Sequence, residues 1–249
     1  MHCNNERTEC EQIMDMKLYC FRVGTIRIPM PKSEMPIFAF LIEHPKGRIL
    51  VDTGNSYEFR DQTTFLEEKD TIVPQLAQLG YTPDDIDYVI VSHLHADHAG
   101  YNSCFPKSTF IVRREEMRTA WWPEDGEFGY DFRTYKDTRD FKYIQLADDE
   151  DYDLFMDGTI VLIDTRGHTR GHQSVILDLP NSGKLVLAMD AAPDKDMLDR
   201  GFPGRPCSEG WQWVHTLRKL KHLSDCGYKI LFEHDMKNLP EKVFPEYYD

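Results

Sequence analysis

The stretch "SHLHADHAG", Ser92 to Gly100, limits the fold of this chain more than any other, because it follows directly on the apolar run "VIV". A continuous apolar run reads as a strand buried on both faces, and His93, His95, Asp97 and His98 crowd its end. Residues two apart on an extended chain share a face, with Cα atoms about 6–7 Å apart, so the rings of His93 and His95 can converge on one ion. A turn into a helix at Asp97 fans the next carboxylate and imidazole outward from the same place, toward a second ion. Imidazole and carboxylate together suit zinc and neighbouring divalent metals.

Three more residues of ligand type close apolar strands further on: His168 in "DTRGHTRGH", Asp190 in "LVLAMD" and His234 in "ILFEH". Strand ends are where α/β proteins build their sites, and the repetition makes metal binding the expectation rather than isolated surface histidines. Asp52, in "VDTGN", reads as a carboxylate that receives an N–H from a ligand imidazole and fixes its tautomer. His172 reads as structural or as a residue behind the ligands rather than a ligand itself, and His2, His44, His215 and His222 as surface or packing residues.

With 249 residues, 41% of them hydrophobic, the chain can bury a sizeable core. Strands are expected at 17–28, 37–44 and 48–54 as an antiparallel meander, then at 108–113 and 159–165, with a hairpin of 174–179 and 184–190 around "PNSG". A helix is expected at 72–80, and an amphipathic helix at 209–227 leads into a strand at 228–234. No repeat or low-complexity linker divides the chain, which reads as one α/β domain over 1–249 with a peripheral extension at 1–16. The aromatic segment 121–143 follows no clean period and reads as a long connection that, with 55–65, forms a pocket wall.

The formal charge of −14 repels phosphate backbones, so nucleic acid is not an expected partner. Neither a polybasic segment nor an apolar run near the roughly 18 residues of a membrane span is present, so no membrane is expected. The amino terminus lacks the basic-then-apolar layout of a secretory signal, which makes a cytoplasmic protein the expectation. The six cysteines are scattered with no C-x-x-C pair and read as free, mostly buried thiols. No G-x-S-x-G elbow offers an acyl-serine route.

"ILVDTG", "GYTPDDIDYVIVSHLHADHAG", "TRGHTRGHQSVIL" and the closing "VFPEYYD" resemble the metallo-β-lactamase superfamily and, within it, the N-acyl homoserine lactonases, from about Lys17 to the carboxyl terminus. The resemblance implies an αβ/βα sandwich, two central β-sheets with helices outside and the metals at one edge. It puts His93, His95 and His168 on one metal and Asp97, His98 and His234 on the other, with Asp190 bridging. It implies a dinuclear hydrolase of two divalent ions, Zn2+ first and Mn, Fe or Co as alternatives. That enzyme would open a small-molecule lactone, N-acyl homoserine lactones foremost, by attack of a metal-bridging hydroxide. The resemblance makes Asp97 and Asp190 the expected catalytic carboxylates, Asp97 to orient the hydroxide and pass a proton to the leaving group. Hydrolysis of another lactone, ester or thioester, as in pyridoxolactonase or glyoxalase II, is the alternative, and a monomer or homodimer is expected. The chain departs from the family in carrying Pro193 where a Tyr follows the bridging Asp by three residues, and Ala96 where a Phe stands inside the motif. Pocket contacts are therefore expected around Ala96 and Pro193 from Trp121, Trp122, Phe128, Tyr130 or Asp194.

Overall fold

Two long strands and a short one, all apolar-rich, start the fold: β1 (Lys17–Pro29), β2 (Lys32–His44) and β3 (Gly47–Val51) pair antiparallel in a meander. The structure, a computed structural model, describes residues 15–29, 32–204 and 210–249. Along β2, Phe38, Phe40 and Ile42 enter one hydrophobic cluster while Ile37, Ala39 and Leu41 enter another. Alternate residues of a strand face opposite ways, so a strand apolar at every position must be covered on both faces.

A short β4 (Thr64–Phe65) pairs with β1, and β5 (Tyr88–Ile90), β6 (Thr109–Arg113) and β7 (Lys142–Leu146) extend the sheet in parallel from β3. The closing strand β13 (Tyr247–Tyr248) lies on the other edge, giving the order β13-β1-β2-β3-β5-β6-β7. The second sheet has the order β12-β11-β10-β9-β8, made of β8 (Tyr152–Asp153), β9 (Ile160–Asp164), β10 (Gln173–Leu179), β11 (Gly183–Leu187) and β12 (Lys229–Leu231).

Between the sheets, Phe38, Phe40, Ile49 and Val51 pack against Leu162, Val175, Leu177 and Leu187, all but completely buried. Each such side chain contributes about 1.5–3 kcal/mol on leaving water. Helices cover the outer faces. On the first sheet sit α1 (Ile72–Gln78), the one-turn α2 (Ala96–Ala99), α3 (Arg114–Trp121) and α4 (Phe132–Tyr135). On the second sit α5 (Lys195–Arg200) and α6 (Gly210–Asp225), the latter burying Trp213, Leu217 and Leu220 against Ile163 and Val186. This is the αβ/βα sandwich that the resemblance implied.

The strand ends are shorter than expected. β3 stops at Val51 because Asp52 turns the chain at φ 56, and β11 stops at Leu187 before a 3-10 turn over Met189–Ala191 in which Met189 has φ 50. β12 likewise ends at Leu231. The ligand-type residues therefore stand on the loops just past the strands. The aromatic segment 121–143 is not one irregular connection: it holds the last residue of α3, all of α4, a 3-10 turn at Lys136–Thr138 and the start of β7. Asp131 caps α4 by accepting from Arg133 N, and the Tyr135 hydroxyl donates to Ala120 O.

Met16 is fully buried in the core between the sheets, so it is not part of a peripheral extension. Residues 1–14 lie outside the described residues, as do Cys3, Cys10 and Cys207. Cys20, Cys104 and Cys226 are free thiols, only Cys20 being fully buried. Among the described residues no helix is long and apolar enough to cross a membrane.

Candidate metal centre

Loops after β3, β5, β9, β11 and β12 meet at one edge of the sandwich. Asp52, fully buried, accepts from Ser92 N at 2.7 Å and Ser92 Oγ at 2.5 Å, and its Oδ2 is 2.8 Å from His98 Nδ1. A proton on that Nδ1 leaves Nε2 of His98 for the interior of the site. His234 is oriented the same way by a 2.7 Å contact of its Nδ1 with Pro36 O. His93 has Nδ1 at 3.0 Å from Ser92 Oγ.

His95 caps the amino end of α2 and lies under residues 128–130. Gly129 accepts from Ala96 N, and a Cβ on Gly129 would come within 2.7 Å of the His95 ring. The rings of Tyr130 and Phe128 lie 4.9 and 5.8 Å from that imidazole. His95 Nδ1 is 3.0 Å from His168 Nε2. Asp190 reaches both sides: its Oδ2 is 2.9 Å from His168 Nε2, its Oδ1 2.9 Å from His234 Nε2 and 3.8 Å from His98 Nε2. Asp97 Oδ2 is 3.5 Å from both His98 Nε2 and His234 Nε2.

Among the described residues four overlapping groups could hold an ion, the ligand atoms of each lying within 4.8 Å of one another. His93, His95, His168 and Asp190 form one and Asp97, His98 and His234 another, these two sharing no residue, while the group of Asp52, His93 and His98 and the group of His98, Asp190 and Glu233 overlap both. Nε2 of His93 and Nε2 of His98 are buried with no hydrogen-bond partner, a costly arrangement unless a cation takes the lone pairs. Burial, and then the neighbouring imidazoles, hold His93 and His95 far below the ordinary range, so both rings are neutral donors. Burial pushes the Asp190 carboxyl up, but His234 and His168 outweigh it and keep it ionised. For His234 burial works downward and Asp190 prevails, raising it to about 9, and Glu233 and Asp97 likewise outweigh burial and raise His98, so these two rings hold protons that a divalent cation must displace. His93, His95 and the ionised carboxylates already have the form that such a cation requires.

The remaining expected residues divide. Phe128 and Tyr130 stand at the site, whereas Trp121 packs on Phe132 and Tyr135, and Trp122 is 76% exposed. Pro193 O accepts from His234 N, and Asp194 caps α5 through Met197 N. His172 lies behind His93, 5.1 Å between rings, with Nδ1 on Thr165 Oγ1.

Two carboxylates were not anticipated. Glu233 Oε2 is 3.5 Å from His98 Nδ1, and burial pushes its carboxyl up to about 8 despite His98 and His234. Glu116 is fully buried on α3. A charge inside the apolar run "ILFEH" was a readable signal for Glu233; "REEMRTA" gives none for Glu116.

Two adjoining cation-sized donor sets at the edge of an αβ/βα sandwich define a metal-binding protein of that fold. The sequence profile of the metallo-beta-lactamase superfamily matches residues 33–232, and the chain belongs to that superfamily, in the branch of the N-acyl homoserine lactonases. It is 33% identical to the N-acyl homoserine lactonase AttM of Azorhizobium caulinodans, over 94% of this chain and 99% of that protein. Identity to the N-acyl homoserine lactonase AiiA of Bacillus thuringiensis subsp. kurstaki is also 33%, over 90% and 92% of the two chains. The crystal structure of a quorum-quenching N-acyl homoserine lactone lactonase superposes with a TM-score of 0.82 at 29% identity, covering 93% of this chain and 98% of that one. An N-acyl homoserine lactone hydrolase with N-hexanoyl-L-homoserine at its catalytic metal centre gives 0.80 at 28% identity, covering 93% and 98%.

Proposed function

We propose that the chain is a dinuclear metal-dependent hydrolase that opens the ring of N-acyl homoserine lactones, and so quenches quorum signals. The observation that carries this is Asp190, whose two oxygens face different histidine sets. In this reading His93, His95 and His168 hold one cation, Asp97, His98 and His234 the other, and Asp190 serves both. Zn2+ is the leading occupant for such nitrogen and oxygen donors, with Mn, Fe and Co next. Bound there, two divalent cations supply Lewis-acid polarisation of the ester carbonyl and a water acidified toward neutral pH.

The chain's own residues do the rest. Asp97 is the one donor of the seven that is not buried, so it stands where substrate enters. Burial pushes its carboxyl up, yet His98 and then His234 bring it below the usual range, and it is ionised at neutral pH. It can take a proton from the attacking water and deliver it to the departing ring oxygen. One C–O bond forms at the carbonyl, the ring C–O bond breaks, and the proton ends on the new hydroxyl. Phe128 and Tyr130 give an apolar wall beside His95 for the acyl chain.

A second reading is a lactone without the acyl amide. It is favoured by Pro193, which has no N–H to donate and whose carbonyl is engaged by His234 N. Parallel turnover of N-hexanoyl homoserine lactone, γ-butyrolactone, S-lactoylglutathione and nitrocefin distinguishes the readings. The acyl homoserine lactone should lead in kcat/KM by about tenfold or more, the discrimination a buried methylene or two provides. Preference for the simple lactone selects the second reading; preference for the thioester or the β-lactam overturns both.

A further inference from the structure

Glu116 is outside the seven donors, yet its carboxylate collects four hydrogen bonds from the segments that carry them. Oε1 accepts from Leu94 N at 2.8 Å and Tyr130 Oη at 3.1 Å; Oε2 accepts from Thr169 Oγ1 at 2.6 Å and Gly171 N at 3.3 Å. Leu94 separates His93 from His95, Thr169 follows His168, and the Tyr130 ring rests on His95. The loop after β9 is pressed onto α3 so closely that a Cβ on Gly171 would come within 2.1 Å of Glu116 N. None of the four bonds reaches Asp97, His98 or His234. That half has its own supports, Asp52 on His98 and Pro36 O on His234.

We propose that Glu116 is a positioning residue dedicated to the three-histidine half of the site, holding the His93–His95 loop, the His168 loop and the Tyr130 wall in register. The inference rests on the two-cation reading above. Bonds to a buried carboxylate are charge-assisted, and removing the acceptor strands buried donors. In Glu116→Gln one oxygen becomes an NH2 group facing donors, so two of the four bonds are lost in an unchanged volume. The damage falls on one half only, because the other is anchored from β2 and from the loop after β3.

Cadmium titration of the stripped protein, followed by cadmium NMR, reads the halves apart, since a three-imidazole site and a site with two imidazoles and a carboxylate resonate differently. Wild type should show two signals. Glu116→Gln should keep the affinity of the two-imidazole site and lose about 10–100-fold at the three-imidazole site, the range seen when partners of ligands are removed. Thr169→Val, which deletes the shortest of the four bonds, should weaken the same site less, and it decides the matter if Glu116→Gln does not fold. Equal weakening of both sites, or of neither, overturns the inference and leaves the two-cation reading standing. A wild type with fewer than two cadmium ions overturns the reading and this inference with it.

Discussion

Asp190 sits in a 3-10 turn that lets its two oxygens diverge, one toward His168 and one toward His234. Replacing it by Asn substitutes a non-ligating NH2 for one oxygen and removes the charge that both histidine sets face. Asp190→Asn should hold at most one cation and lose about three orders of magnitude in kcat/KM, the several kcal/mol that metal polarisation supplies. Elemental analysis and lactone turnover on the same preparation check this, and full metal loading with wild-type turnover would refute a shared role for Asp190. The seven residues that meet at this edge were legible because the motif and the residues past apolar strands stand out against a chain whose other histidines are scattered. Glu116 and Glu233 were not. A Glu on an amphipathic helix is ordinarily a solvated charge, and Glu116 is buried by tertiary packing, with the loop after β9 pressed onto α3 and Leu94 and Tyr130 on its other oxygen.

At the scale of elements, one side chain ties the first sheet to the second far from the metal centre. His44, the last residue of β2, stacks on Phe155 at 4.4 Å, accepts from Lys46 N at Nδ1, and has Nε2 3.3 Å from Thr159 Oγ1. Burial is the largest influence on this imidazole and lowers it, Asp157 raises it, and Lys46 lowers it further, with a net shift downward from 6.5. The folded state thus prefers neutral His44, and below pH 6.5 the unfolded chain binds the proton better, so its stabilising share is present above that pH and declines as pH falls. The melting temperature of wild type should exceed that of His44→Asn at pH 7.5, and the gap should narrow by pH 5; a constant or widening gap would contradict this. Most strands and the helices α1 and α6 were legible from period 2 and 3.6 patterns, whereas α3 was not anticipated. Residues 121–143 were not, because α4 is a single turn set by the Asp131 cap and the Tyr135 contact, too short to imprint a period.

For the whole molecule, the site exists only where both sheets end together, since His93, His95, Asp97 and His98 follow a strand of one sheet while His168, Asp190 and His234 follow strands of the other. The sandwich class was readable from the motifs, but the order of strands within each sheet was not, because pairing between distant strands leaves no local pattern. Cations bound by donors from both sheets also bridge them, and binding to the folded state alone raises its stability by mass action. The most direct test is calorimetric titration of the chelator-stripped protein with Zn2+, with melting followed in parallel. Saturation at two equivalents per chain, with a rise in melting temperature and appearance of lactone hydrolysis, is the predicted result; no saturable binding, or hydrolysis undiminished in the stripped protein, would contradict it.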